Sequence, residues 1–388
     1  MFLRISVWLL SVIILYQCDS GEALRPDKRA LTETKGMAVF ERGVYYYQRG
    51  TASGYLLAMK EFKSLLKKKP RHARGYAMLS LCHSRYGQYL YLHSQGDKAK
   101  SYYRKAKLLG EYAIKLDPKG SRGYVALALY YRQVGDWKTL YRHAQKAVEL
   151  DKAEYEAHAI LGDAYSRGFK GRKWNYEKSL MHYRESLRLR EDFLPARYNL
   201  ALLLFAKGRF QDCVVELNLA IKISSEIPQF YYYLSLSHKR LKAYDISLRM
   251  IQRAIELDKA NPFYHDMEGQ VYSLLEKPLN AVKSYKLAIS LSGNQPQFWY
   301  RLANEYLKLG RKKLSVKLYR KSIELDRDYD MPHLALAELL EEMKCYKLAI
   351  REYQIFIRLS LSGGLMEKAR KRLDGLKKLI AAKRIKSG

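Results

Sequence analysis

The 388 residues are 48% apolar and 28% charged, a balance that excludes an intrinsically disordered chain and is ample for a continuous core. Lys and Arg outnumber Asp and Glu by 71 to 39, a net +32, which predicts attraction to something acidic without naming it. Cys18, Cys82, Cys213 and Cys345 lie far apart with no CxxC pair, which excludes the usual patterns of a zinc site or a disulfide framework.

The chain opens on a short basic start, MFLR, followed by the apolar run ISVWLLSVIILY and then Cys18. The run is too short to span a bilayer comfortably and has the length of a secretory h-region, so residues 1–17 read as a signal peptide. The segment LYQC resembles a bacterial lipobox, with Leu15 in place and Gln17 where a small residue is usual. That resemblance implies lipidation of Cys18, which would become the mature N-terminus of a membrane-anchored protein facing the periplasm or the exterior. Two other outcomes stay open. Gly21 and Ala23 supply the small residues of an ordinary cleavage site, which would give a soluble secreted or periplasmic protein, and the run can also stay uncleaved as an anchor. All three put the rest of the chain outside the cytoplasm. Residues 18–38 are polar after the cysteine, mixed in charge and carry Pro26, so they read as a flexible tether.

A repeat begins at residue 39. The phrases AIKLDP (113–118), AVELDK (147–152), AIELDK (254–259) and SIELDR (322–327) share one register, and Pro228, Pro262 and Pro296 are spaced by 34 residues. Together they divide the chain into nine blocks: 39–72, 73–120, 121–154, 155–193, 194–227, 228–261, 262–295, 296–329 and 330–363. Each block predicts two amphipathic helices. In 296–329, Trp299, Leu302, Ala303 and Tyr306 share one helical face, Gly310 breaks the run, and Ser315, Tyr319 and Ser322 continue on a second helix. The three prolines sit at first helical positions, where the missing N–H costs nothing. Block 73–120 carries 14 extra residues, about four turns, which predicts two more turns on each helix. Block 155–193 carries five, placed in the loop SRGFKGRKWN, whose Trp174 is a candidate contact point. Residues 364–388 are basic, with Leu365, Ala369, Leu373, Leu376 and Ile380 at helical spacing, and read as a capping helix and tail.

These residues resemble the tetratricopeptide repeat, a 34-residue helix–turn–helix unit. Tyr124, Leu127, Ala128, Tyr131, Ala147 and Leu150 match it in block 121–154, and Gly269, Tyr272, Ala281, Tyr285 and Ala288 in block 262–295. A small residue recurs at the eighth position as Ser80, Ala128, Gly162, Ala201, Ser235, Gly269, Ala303 and Ala337. The resemblance implies an all-α solenoid, a right-handed superhelix of antiparallel hairpins with a concave groove. Carried onto this sequence, the groove positions are Arg122, Leu129 and Arg132, then Tyr198, Leu202 and Phe205, then Tyr232, Lys239 and Arg240, then Tyr300, Asn304 and Lys308. The last block offers Glu338, Glu341 and Glu342 instead. Such a groove suits an extended peptide or protein partner with some acidic side chains. The Lys and Asn clamp with which some members of the family hold a C-terminal carboxylate does not recur in three successive blocks.

Nothing in the sequence points to catalysis, a cofactor, a metal or a small-molecule substrate: HExxH, P-loop, GxGxxG and GxSxG motifs are all missing. His158, His265 and His333 take the fourth repeat position, where Tyr124, Tyr231 and Trp299 also stand, so they read as packing substitutes for aromatics. Cys213 reads as a small buried hydrophobe. Residues 39–120 hold 17 Lys and Arg against 5 Asp and Glu, a net +12, whereas 194–363 total only +8. A uniformly basic groove is therefore not indicated, and nucleic acid is not the expected partner. The expectation is a non-enzymatic scaffold of the bacterial cell envelope that binds protein partners, touching the membrane through its lipid anchor and basic first repeats. The alternative is a basic module for anionic polymers or headgroups, including acidic lipid and cell-wall polymer.

Overall fold

The computed structural model describes residues 37–92, 95–168 and 173–386. The signal peptide, Cys18 and all of the tether up to residue 36 lie outside the described residues, as does part of the loop before Trp174. The described chain is all-α, with 19 helices and no strand, the architecture of a tetratricopeptide-repeat solenoid. It divides into two compact units, one ending at Tyr233 and one beginning at Leu234.

The first unit holds α1 (Val39–Gln48) with α2 (Ala52–Lys68), α3 (Ala73–Leu92) with α4 (Gly96–Leu116), α5 (Ser121–Val134) with α6 (Trp137–Leu150), α7 (Tyr155–Arg167) with α8 (Tyr176–Leu189), and α9 (Leu194–Ala206) with α10 (Phe210–Ile223). Helix α11 (Pro228–Arg240) carries the boundary between the units. The second unit continues with α12 (Tyr244–Leu257), α13 (Pro262–Leu274) with α14 (Pro278–Leu291), α15 (Pro296–Lys308) with α16 (Lys312–Leu325), α17 (Asp330–Glu342) with α18 (Tyr346–Leu359), and α19 (Gly363–Lys386). The excess in block 73–120 goes into the helices themselves, which reach 20 and 21 residues. In α19, Ala369, Leu373 and Leu376 are buried in one cluster with Tyr353 and Phe356, so the last helix covers the open apolar end of the array.

Three devices recur in both units. The first is a close crossing inside the hairpin: a Cβ on Gly162 would lie 2.5 Å from the Tyr183 ring, and one on Gly269 would lie 2.6 Å from the Tyr285 ring. Only glycine lets these fully packed tyrosines cross there. The second is the turn between hairpins. The Asp of the repeated LD phrase accepts a hydrogen bond from the backbone two residues on, at Asp117 (3.2 Å), Asp151 (2.9 Å), Asp258 (3.2 Å) and Asp326 (3.0 Å), an Asx turn that ends the second helix.

The third device gives the fourth repeat position a reason that packing alone does not supply. Tyr124, His158, Arg197, Tyr231, His265, Trp299 and His333 each donate to the carbonyl six residues back, at 3.2, 3.1, 2.7, 3.1, 2.9, 2.8 and 3.3 Å. Each of those carbonyls lies just beyond the end of the preceding second helix, where no intrahelical donor remains. Reading the histidines as aromatic substitutes is therefore incomplete. The shared chemistry is a long side chain with a donor at its tip, and Arg197 satisfies it without an aromatic ring.

Candidate partner-binding faces

Successive first helices run side by side and are tied by polar contacts between residues about one repeat apart. In the first unit, Asp163 of α7 accepts from Arg132 of α5 at 2.8 Å, from Asn199 of α9 at 2.7 Å and, through the hairpin, from the Tyr183 hydroxyl at 2.7 Å. Nearer the N-terminus, Arg122 lies 3.0 Å from Glu154 and 3.6 Å from Glu156, with its guanidinium 5.5 Å from the Tyr155 ring. Both carboxylates are buried. Burial pushes the Glu154 carboxyl up to about 7, against the pull of Arg122, and the Glu156 charge adds to the rise. Tyr47 and Tyr155 donate to Glu156 at 3.3 and 3.2 Å. Arg74, Arg122 and Tyr155 border a small cleft of about 60 Å³ beside this cluster.

The second unit repeats the scheme in its own register. Lys239 of α11 donates to Gln270 of α13 at 2.7 Å, Gln270 donates to Asp266 at 2.8 Å, and Arg301 of α15 also pairs with Asp266. Burial holds Lys239 down to about 8, assisted by the neighbouring charges of Arg301 and Arg240 and opposed by Asp266. Burial raises the Asp266 carboxyl, against the pull of Arg301. One turn further on, Ser273 donates to Glu305 at 2.6 Å and Lys308 reaches both. The Tyr319 hydroxyl donates to Asn304 at 2.5 Å and the Tyr353 hydroxyl to Glu341 at 2.7 Å. These tyrosines cross their hairpins and fix the face polar groups from behind.

The sequence-predicted groove residues fall into two groups. Leu129, Tyr198, Leu202 and Phe205 are buried, which corrects their assignment to an open groove. Tyr198 packs on Phe230 at 5.4 Å between ring centroids, and Phe205 meets Phe210 at 5.3 Å. They fill the seams between adjacent helices, so a partner does not reach them. Arg122, Arg132, Lys239, Asn304 and Lys308 belong to the polar ties just described. Tyr232 and Tyr300 are half-buried and Arg240 is exposed. Tyr300 is flanked by Tyr319 and Tyr329, with ring centroids 6.0 and 5.6 Å away. Glu342 pairs with Lys312 at 2.6 Å, Glu341 with Arg372 at 3.1 Å, and Glu338 is exposed. Trp174 is held under Lys207, whose ammonium sits 4.3 Å from its ring.

Sequence reasoning missed the buried acids Glu154, Glu156, Asp163, Asp266 and Glu305. The available signal was an acid inside an otherwise apolar first helix, as in HAILGDAY and YHDME. Among the described residues no group of three or more His, Cys, Asp or Glu side chains is placed to hold a metal ion, and no helix is long and apolar enough to cross a membrane.

Residues 296–329 match the sequence profile of the tetratricopeptide repeat. The Hsp70-Hsp90 organizing protein of Triticum aestivum is 22% identical over 47% of this chain and 38% of its own length. Anaphase-promoting complex subunit 3 of Schizosaccharomyces pombe is 26% identical over 28% of this chain and 16% of its own. The chain thus spans well under half the length of either relative. Among solved structures, a chain of the APC/C hetero-tetramer Cut9-Hcn1 superposes with a TM-score of 0.52 over 86% of this chain and 75% of that one, at 14% identity.

Proposed function

We propose that this chain, a tetratricopeptide-repeat protein, works as a non-enzymatic scaffold that holds an extended peptide or protein partner along its first-helix faces. The observation that carries this reading is the set of polar ties between successive first helices. They pre-organise guanidinium, ammonium and hydroxyl groups on a face that still exposes Arg240 and Lys308, so a partner meets donors whose ordering cost is already met. Arg240 and Lys308 reach solvent while Glu154, Glu156, Asp163, Asp266 and Glu305 are buried, which suits a partner with some acidic side chains. The wheat relative's name describes a protein that organizes Hsp70 and Hsp90, which supports a protein-binding role.

The apolar run before Cys18 supports export and a lipid anchor in a bacterial envelope, where the scaffold would serve an assembly role. Cys18→Ala should move the protein out of the membrane fraction; a variant that stays bound after a high-salt wash would remove the acyl anchor from the reading. For the binding face, a photo-crosslinking residue at Tyr300 should capture a bound partner, and one at Leu279, exposed on the second helix α14, should not. Equal capture from both would move the partner off the first-helix face.

A further inference from the structure

The outer surface of the first two hairpins has a composition that the scaffold reading does not use. Helices α2 and α4 are the second helices of their hairpins, and their solvent sides are basic. Lys60, Lys63 and Lys67 of α2 and Arg104, Lys105 and Lys115 of α4 are all exposed. None of the six has an acid within ion-pair distance among the described residues, whereas Lys100 and Lys107 are matched by Asp97 at 3.1 Å and Glu111 at 3.7 Å. Helices α2 and α4 both pack on α3 and flank it, with these basic side chains turned to solvent.

The charge is not alone on this surface. Leu108 is 66% exposed at the centre of the outer stripe of α4, with Arg104 and Tyr112 one turn to either side and Lys115 two turns on. Tyr112 is 40% exposed and is held edge-on by Tyr76 at 4.7 Å. A leucine presented among unpaired cations contributes nothing to the attraction of a purely hydrophilic polyanion. At a bilayer surface it has a use, since apolar side chains enter the headgroup region while lysine and arginine meet lipid phosphates.

We infer that the outer surface of α2 and α4 docks on an anionic lipid bilayer, with Leu108 and Tyr112 inserted at the headgroup level. The inference draws only the presence of a membrane from the anchoring proposed above; the docking face itself is a separate structure. Each basic residue close to an anionic leaflet contributes a factor of about five in affinity before screening.

The test uses the full chain and sedimentation with vesicles of pure phosphatidylcholine or of equal parts phosphatidylcholine and phosphatidylglycerol. Binding to neutral vesicles reads the N-terminal apolar run, and the gain on mixed vesicles reads the outer face. Changing the six basic residues to Gln should reduce affinity for mixed vesicles by at least about tenfold, leave neutral-vesicle binding unchanged and keep the helical circular dichroism. An unchanged gain in that variant overturns the docking face, whatever the anchor does. Leu108→Ser separates lipid from other polyanions. It should weaken mixed-vesicle binding by about fivefold, the size of one partly buried leucine, and leave heparin binding as it was. A Leu108→Ser chain that binds mixed vesicles and heparin as the parent does would make the surface a general polyanion site and overturn the lipid assignment.

Discussion

Before Tyr233 the hairpins vary from a 10-residue α1 to a 21-residue α4, and the connection from α7 to α8 is lengthened; from α11 to α18 every first helix has 13 residues and every second helix 14. Both regions nevertheless use the same glycine crossing, the same turn between hairpins and the same donor at the fourth position. The variable region differs in what it adds: two long basic helices, a buried carboxylate pair around Arg122, and the neighbouring rings of His158 and His182. The lesson is that the repeat fixes only a few contacts per hairpin. Helix length, loop length and outer surface can drift as long as those contacts survive.

The strongest test of that comparison is at the crossings. Gly162→Leu and Gly269→Leu should each cost about 3 kcal/mol, since even a Cβ comes within 2.5 to 2.6 Å of a ring whose tyrosine is packed on all sides. Equilibrium denaturation of both variants should give losses of similar size. A Gly162→Leu chain as stable as the parent would mean that the variable region does not share the crossing.

Protonation separates the regions next. Burial holds His83 down to about 4, with Lys63 and Lys105 adding to the effect, and holds His182 down to about 4, with His158 and Lys178 adding to it. Both groups sit in the first unit. Between their ordinary value near 6.5 and about 4 the unfolded chain binds more protons than the folded one, so stability from these groups rises with pH and is lost as pH falls through that window. Glu154, raised to about 7, works oppositely: its contribution is present below about 4.5 and lost as pH rises through 7. His83→Gln with His182→Gln should flatten the loss of stability between pH 6.5 and 4 in denaturation followed at that unit. An unaltered slope would show that these rings are not what acid attacks there.

The fold was legible because hydrophobic period, proline entry and the LD phrase each repeat, and one faulty block cannot hide a pattern carried by the others. The candidate faces were legible only in part. The resemblance puts Leu129, Tyr198, Leu202 and Phe205 at groove positions, but it does not say that neighbouring helices cover them, as Phe230 covers Tyr198 and Phe210 and Tyr233 cover Phe205. The ties from Arg132 to Asp163 and from Lys239 to Gln270 join residues 31 apart, and reading them needs the side-by-side packing of neighbours as well as the repeat position. The carbonyl contact of the fourth position was hidden for a different reason. Tyr, His and Trp invite classification by ring, and Arg197 is a misfit until the donor is taken as the common property.

The tight turn inside each hairpin supplies a smaller contrast. Position fifteen of the repeat has positive φ in six of the blocks: Gly135 (78°), Gly208 (79°) and Gly310 (74°) fill it with glycine, while Lys242 (61°), Glu276 (56°) and Lys344 (63°) hold a side chain there. Left-handed backbone costs a side-chain residue about 1 kcal/mol relative to glycine, less the entropy that glycine brings to the unfolded chain. Glu276→Gly should therefore stabilise the regular region by up to about 1 kcal/mol, and Gly208→Lys should weaken the variable one by a similar amount. Thermal melts in which the two changes act in the same direction would refute a shared turn.

The smallest effect isolates the donor at the fourth position. Tyr231 keeps its ring in Tyr231→Phe and loses only the hydroxyl that reaches the Ser225 carbonyl at 3.1 Å. That carbonyl follows the end of α10, where the helix offers no replacement donor. Losing one neutral hydrogen bond costs about 1 kcal/mol, and less if water reaches the carbonyl. Tyr231→His loses the ring's size and keeps a tip donor, as His265 and His333 do at the same position in the regular region. If the donor is the selected property, the Phe variant is less stable than the His variant although Phe is closer to Tyr in shape. If packing is the selected property, the order reverses, and the seven carbonyl contacts become a by-product of where the rings lie.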